Sequence, residues 1–225
     1  MPRMREAKNL RCSWRLEECV LGRGLTLVAG TDEAGRGCLL GPLYVAAVIL
    51  DKTRRIPGID DSKKLSAQAR STLAPEIREK ALAWKVIAVP AREVDALNVY
   101  EATRQAMIQS LLALDPQPEF ALTDAMRLQS PGRKPGFALP YWAIIHGDAR
   151  SVSIAAASIL AKVDRDAHLE QLDRQYPQYC LARNKGYGTR EHLEALARYG
   201  PCPEHRRTYQ PVKDCLVPRL PAASA

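Results

Sequence analysis

The chain has 225 residues, 46% of them hydrophobic and 26% charged, which suits a packed globular fold and excludes a disordered or fibrous one. Its 33 Lys and Arg against 25 Asp and Glu leave a net charge of +8, an excess that favours a polyanionic partner, with nucleic acid first among them. No stretch approaches the roughly 18 continuous apolar residues of a membrane span and no apolar core follows the basic N-terminus, so we expect no membrane association, no secretory leader and a cytoplasmic location.

Residues 1–22 alternate charge with isolated apolar side chains and read as an N-terminal arm, either a short amphipathic helix or a loose segment. The apolar runs 25–32 and 43–50 read as strands separated by "EAGRGCLLGP", whose Gly and Pro content marks a loop. About ten connecting residues are too few for a helical crossover, so the sheet is expected to be mixed. The polar turn "IPGIDDSKKLS" leads to a helix capped by Ser66 and running to about Ala83, which Pro75 must kink or divide. "WKVIAVPA" is a third strand, 99–114 has the apolar spacing of a helix stopped by Asp115 and Pro116, and "EFALTDA" is a fourth strand ending on Asp124. The basic, Pro- and Gly-rich "MRLQSPGRKPGFALP" precedes a fifth strand, "YWAIIHGD", ending on Asp148.

An alanine-rich helix from Ser151 to about Tyr176 has side chains small enough to lie close against a sheet. A later helix, 190–199, is capped by Thr189 and stopped by Gly200 and Pro201. The expected organisation is an α/β layer fold with an arm at 1–22, one domain at 23–211 and a flexible tail at 212–225. Six scattered cysteines without a CxxC pair read as reduced thiols.

Three apolar runs thus end on acidic residues: Asp32 with Glu33, Asp124, and Asp148. In open α/β sheets ligands gather at strand ends, so these carboxylates are candidates to converge. Four packed carboxylates repel unless cations lie between them, and Mg²⁺ or Mn²⁺ is the natural counter-ion because both take oxygen ligands and keep waters for substrate phosphate. Acidic residues at strand termini also simply cap turns, which is the plainer reading for Asp124 or Asp148 taken singly. Adjacent residues on a regular strand face opposite ways, so the first strand is expected to end at the Asp32–Glu33 pair. The following Gly35-Arg36-Gly37 lets backbone approach a ligand, though a tight turn explains it equally well. His146, His168, His192 and His205 stand apart in sequence and read as surface or structural residues rather than metal ligands.

Four motifs in this order, "DEAGRGCLLGP", "DSKKLS", "GDARSVSIAAASILAKVDRD" and "NKGYGTREHLEAL", resemble bacterial ribonuclease HII from about Leu25 to Pro211. The resemblance implies an RNase H-like fold, a five-stranded mixed β-sheet flanked by α-helices with C-terminal helices, and residues 23–211 as the catalytic domain. It implies an endonuclease that cuts the RNA strand of RNA/DNA hybrids and incises duplex DNA 5′ of a single embedded ribonucleotide, leaving 3′-hydroxyl and 5′-phosphate ends. Ribonucleotide excision repair and RNA primer removal are the implied settings.

Carried over by motif, Asp32, Glu33, Asp124 and Asp148 would be the catalytic carboxylates holding Mn²⁺ or Mg²⁺. Gly35, Arg36 and Gly37 match the loop that recognises the 2′-hydroxyl, and Tyr187 the tyrosine on the same ribonucleotide. Ser62 and Lys63 match a loop near the scissile phosphate, and Lys185 is a plausible backbone contact by position; a solvated surface lysine is the alternative for both lysines, an equal one for Lys185. Asp166 also matches, but Lys162 four residues earlier makes a surface pair the preferred reading. This chain departs from the family in Ala125 where glycine usually follows the third acidic residue, in a longer Asp124–Asp148 interval with "SPGRKPG" as the insertion, in His146 for a common lysine, and in Asp164 for a threonine.

Ribonuclease HIII shares the motif style but adds an N-terminal domain for which about 22 leading residues are too few. A non-catalytic hybrid-binding protein would have no use for four carboxylates that repel a phosphate backbone. A metal-dependent phosphatase would not need the GRG loop and Tyr187 together. A monomer is implied by analogy, and docking of the C-terminal tail on a replication partner, such as a clamp, stays open.

Overall fold

The computed structural model describes residues 10–129 and 137–216. Five strands form one sheet in the order β3-β2-β1-β4-β5: β1 (Val28–Ala34), β2 (Leu43–Ile49), β3 (Ala83–Val89), β4 (Phe120–Asp124) and β5 (Tyr141–Ile144). β1 pairs antiparallel with β2 and parallel with β4, and β4 pairs parallel with β5, so the sheet is mixed as expected. The chain divides into two compact units. The first comprises Tyr44–Ala88 and the described parts of Met1–Ala34 and Thr103–Asp164; the second comprises Gly35–Leu43, Val89–Ala102 and the described part of Arg165–Ala225.

Within the first unit, helix α5 (Val152–Gln175) begins as a helix buried on nearly all sides. Ile154, Ala155, Ala156, Ala157, Ile159, Leu160 and Ala161 have no exposed surface, which is why the segment shows so little amphipathic periodicity. The small residues have the use expected of them. A Cβ at Gly30 of β1 would lie 2.1 Å from the Ser153 carbonyl carbon and 2.3 Å from the Ile154 nitrogen, so the bare glycine is what lets helix backbone rest on strand backbone. Val28, Leu122, Ile144 and Ile154 form one apolar cluster, and Tyr44, Val48, Ile77, Ala156 and Leu160 belong to a second.

Helix α1 (Arg15–Leu21) occupies the segment expected as an arm, and it is tied down by a buried carboxylate. Glu17 accepts hydrogen bonds from Ser151 Oγ at 2.5 Å and Ser153 N at 2.9 Å, at the first turn of α5. Ser13 forms a β-bridge with Ser151. Helix α2 (Ala67–Lys80) starts at Ser66, whose hydroxyl accepts from Ala69 N at 3.1 Å. It is not divided at Pro75: burial of Leu73, Ala74 and Ile77 carries the helix past the missing N–H. Helix α3 (Ala91–Leu97), unforeseen in the sequence, precedes α4 (Val99–Leu112).

In the second unit α6 (Leu181–Asn184), α7 (Arg190–Tyr199) and α8 (Gln210–Leu216) follow the end of α5. Leu40, Leu169, Tyr179, Leu181 and Cys202 share a cluster, and Leu39, Leu196 and Val212 another. Thr189 caps α7 and Gly200 ends it, as expected. α8 crosses the expected tail boundary at 211/212, whereas residues 217–225, residues 1–9 and the whole "SPGRKPG" insertion lie outside the described residues. None of the cysteines forms a disulfide, and no described helix is long and apolar enough to cross a membrane.

Gly30→Ala is expected to cost about 3 kcal/mol, because the added methyl meets rigid helix backbone rather than a side chain able to move. Urea unfolding of the variant beside the wild type measures it.

Candidate active site

The parallel register carries β1 and β4 side by side, pairing Thr31 with Thr123, so that Asp32 and Asp124 emerge next to each other at one edge of the ladder. Asp148 joins them from the turn after β5. Carboxylate oxygens of Asp32, Asp124 and Asp148 all lie within 4.8 Å of one another. Asp32 and Asp148 are 4% and 3% exposed, and Asp124 is half-buried.

Two expectations need correction. The first strand does not end at the acidic pair: β1 runs on to Ala34, with Glu33 opposite Val45 and Ala34 opposite Tyr44. A ladder requires only backbone partners, so charge does not stop it, and the alternation of a strand keeps Glu33 out of the 4.8 Å group. Its charge still matters, ranking just ahead of that of Asp124 among the charges acting on Asp32. Likewise β5 stops at Ile144, not at Asp148. His146 takes a left-handed φ of 55°, and Ala149 N bonds back to His146 O at 3.2 Å, so the chain turns before Asp148. Gly147 has no room for a side chain, since a Cβ would lie 2.6 Å from Ile154 Cδ1.

The site is held by neutral donors and one cation. Gly147 N donates to Asp124 Oδ1 at 2.8 Å, Glu33 N to Asp32 Oδ1 at 2.8 Å, and Ala149 N to Asp148 Oδ1 at 2.9 Å. Ser158 of α5, which sequence reasoning missed, favours the Asp32 carboxylate through its hydroxyl, and that hydroxyl shares a hydrogen bond with Ser62 Oγ at 2.9 Å. Lys63 Nζ lies 2.8 Å from Asp148 Oδ2. Among the described residues this is the ion pair that reaches the triad.

Burial first, then the charges of Glu33 and Asp124, push Asp32 well above the ordinary aspartate range. Burial and the charge of Asp148 raise Asp124 against the opposing hydrogen bond from Gly147. Burial works against the Lys63 ammonium, but its contact with Asp148 and the charges of Asp32 and Asp61 outweigh it and hold its pKa up. Oxygen-only donors, crowded and short of positive charge, suit a hard divalent cation. Ala125 takes a left-handed φ of 52°, which explains the usual glycine there, and Asp124 keeps its place regardless.

The remaining predicted residues lie in the second unit. Gly35 has φ 89°, and a Cβ there would come within 1.9 Å of Arg165 Nε; at Gly37 a Cβ would meet nothing within 4 Å. The Arg36 carbonyl accepts from Arg206 Nη1 at 2.9 Å and Tyr209 OH at 2.6 Å, while its guanidinium lies 5.9 Å from the Tyr100 ring centre. Leu39 N donates to Gly186 O at 2.8 Å, which brings the GRG loop beside the Tyr187 motif. Tyr187 is 46% exposed, and burial followed by the neighbouring Cys38 thiol pushes its phenol upward. Lys185 is engaged structurally: its ammonium pairs with Glu170 at 3.1 Å and its carbonyl accepts from Arg165 Nη1 at 2.9 Å. Asp164 pairs with Arg78 in the first unit.

Two of the histidines do not stand apart in space. His192 Nδ1 lies 2.9 Å from Tyr187 O, His192 Nε2 lies 3.2 Å from His205 Nε2, and Cys202 N donates to His205 Nδ1 at 3.0 Å. Since the Tyr187 carbonyl only accepts and the Cys202 N–H only donates, the tautomers are fixed: His205 donates through Nε2 to His192, which donates through Nδ1 to Tyr187. Both rings are neutral in this chain, and burial lowers both, His205 to about 4 with the His192 charge as second cause.

A family model described as Ribonuclease HII matches residues 29–212. The chain belongs to the ribonuclease HII family. It is a ribonuclease H hydrolase, of a family dependent on divalent metal. The ribonuclease HII of Geobacillus kaustophilus is 50% identical over 202 residues, covering 90% of this chain and 75% of that one. The ribonuclease H2 structure from Pyrococcus horikoshii OT3 superposes with a TM-score of 0.70 at 26% identity, covering 84% of this chain and 97% of that one. The RNase HII of the PCNA:RNase HII complex from Archaeoglobus fulgidus gives 0.69 at 29% identity, covering 82% and 96%.

For a base whose folded pKa is depressed, the unfolded chain binds protons first on acidification. The His205 contribution is therefore present above its ordinary value of 6.5 and lost as pH falls from there to about 4. Stability curves of this ribonuclease and of its His205→Asn variant, which keeps an acceptor for Cys202 N, are expected to diverge by roughly 2 kcal/mol across that window, the wild type falling more steeply.

Proposed function

We propose that this ribonuclease HII cuts the RNA strand of RNA/DNA hybrids and incises duplex DNA on the 5′ side of a single embedded ribonucleotide, leaving 3′-hydroxyl and 5′-phosphate ends. The observation that carries the catalytic part is the convergence of Asp32, Asp124 and Asp148 within 4.8 Å, in a site whose positive charge falls short of its negative. These three, with Glu33 beside Asp32, would hold Mn²⁺ or Mg²⁺. A metal held there would supply an activated water and charge stabilisation at the leaving oxygen of an in-line displacement.

The chain's own groups do the orienting. Ser158 and Glu33 N fix the Asp32 carboxylate, and Gly147 N fixes that of Asp124. Lys63 neutralises Asp148 through an exposed ammonium that can turn to a phosphate oxygen. For substrate choice, an RNA-specific reader must reach the 2′-hydroxyl, which needs close backbone approach. Gly37 supports that reading: the protein's own packing does not demand a glycine there, so the space is left for something outside the chain. Tyr187 offers a half-exposed ring beside that loop for stacking on a sugar. Repair of embedded ribonucleotides and primer removal are the matching settings, and the Archaeoglobus complex makes a PCNA-type clamp the first protein partner to test.

A labelled DNA duplex carrying one ribonucleotide, incubated with Mg²⁺ or Mn²⁺ and mapped to the nucleotide, tests both halves. The expected outcome is one cut 5′ of the ribonucleotide, absent in EDTA and at least about 100-fold slower in Asp148→Asn. An uncut duplex from folded enzyme that still degrades a long hybrid would remove the single-ribonucleotide activity, and an unimpaired Asp148→Asn would remove the carboxylate assignment.

A further inference from the structure

Two arginines of the second unit are buried without a carboxylate to balance them. Arg165 is 1% exposed and Arg206 is 0% exposed, and neither makes an ion pair among the described residues. Every hydrogen bond that their guanidinium groups make goes to a neutral oxygen. Arg206 donates through Nε and Nη2 to Gly41 O at 3.2 and 3.0 Å, and through Nη1 to Arg36 O at 2.9 Å and Tyr209 OH at 3.0 Å. Arg165 donates through Nε to Pro42 O at 3.3 Å, through Nη2 to Leu40 O at 3.3 Å, and through Nη1 to Lys185 O at 2.9 Å. Four of these carbonyls belong to one loop, 35–42, and that of Lys185 belongs to the Tyr187 motif.

Burying an uncompensated guanidinium is costly, and a neutral side chain of similar bulk would fill the space at less cost. A planar fork with five donors, fixed in charge at any working pH, is what no such replacement offers. Its effect on the loop is one-sided. The carbonyls of Gly35, Arg36, Leu39, Leu40, Gly41 and Pro42 are all taken up inside the fold, Gly35 O by Cys38 N and Leu39 O by Arg206 N. The N–H groups of Gly35 and Gly37 make no hydrogen bond among the described residues.

We propose that Arg165 and Arg206 are positioning residues for ribonucleotide selection: they turn the carbonyls of Arg36, Leu40, Gly41 and Pro42 inward and keep the N–H groups of Gly35 and Gly37 as donors for a 2′-oxygen or phosphate oxygen. This rests on the reading that the loop contacts the ribonucleotide. The two unbalanced charges behind the loop add an attraction for the anionic strand.

Steady-state cleavage of the one-ribonucleotide duplex, with an all-DNA duplex as competitive inhibitor, tests the role. Arg206→Lys keeps the charge but loses the fork that spans Arg36 O and Gly41 O; Tyr209→Phe removes one donor to Arg36 O with little change of bulk. The expected result is a KM for the ribonucleotide duplex raised about tenfold in Arg206→Lys and about threefold in Tyr209→Phe, with the Ki of the all-DNA duplex within about twofold. A purely structural role lowers the folded fraction and hence the apparent kcat, leaving the KM-to-Ki ratio where it was. An unchanged ratio in both variants overturns the proposal, and if Arg206→Lys fails to fold, Tyr209→Phe decides alone. Gly37→Ala separates the two layers, since its methyl enters open space. Wild-type KM in Gly37→Ala overturns the reading of the loop itself; a raised KM there with unchanged ratios in the other two variants overturns only the arginine assignment.

Discussion

Mutual repulsion among acidic side chains is the constraint around which the first unit is organised. Asp32, Asp124 and Asp148 are held within 4.8 Å, two of them almost wholly out of water, at a cost that only a cation fully relieves. Each is tethered by a donor that carries no net charge, from the backbone or from Ser158, so the site stays negative overall. The fold sets against that cost the close seating of α5 on β1 at Gly30, which fixes the element carrying Ser158.

The second unit solves the opposite problem. Its loop 35–42 has no regular hydrogen-bonding ladder, and the backbone is stiffened instead by side chains reaching in from far along the chain: the arginines onto the loop carbonyls, and the neutral His205–His192 chain onto the Tyr187 carbonyl. A loop left to water would sample many conformations, and its hydrogen bonds to substrate would then carry the ordering cost.

How much of this was legible in the sequence depended on range. The strands, the Ser66 and Thr189 caps and the acidic residues follow from local pattern, and the motifs carried the family. The place of Asp148 is not legible because the left-handed turn at His146 leaves no trace in hydropathy, and the true end of β1 is not legible because a charged pair resembles a strand end when only backbone pairing decides it. The arginines and the histidine pair were missed because their meaning lies in partners, with Arg206 and Gly41 separated by 165 positions and the two histidines by 13.

The buried Glu17 has an architectural consequence. By accepting from Ser151 and Ser153 it ties the first helix to the beginning of α5, three and five positions beyond Asp148. The smallest working enzyme is therefore not delimited by its motifs. A fragment trimmed back to the first strand would keep Asp32, Glu33, Asp124 and Asp148 yet lose the brace at the root of the helix that follows Asp148, so tags, fusions and truncations at this end of the chain act on the edge of the sheet where the carboxylates meet.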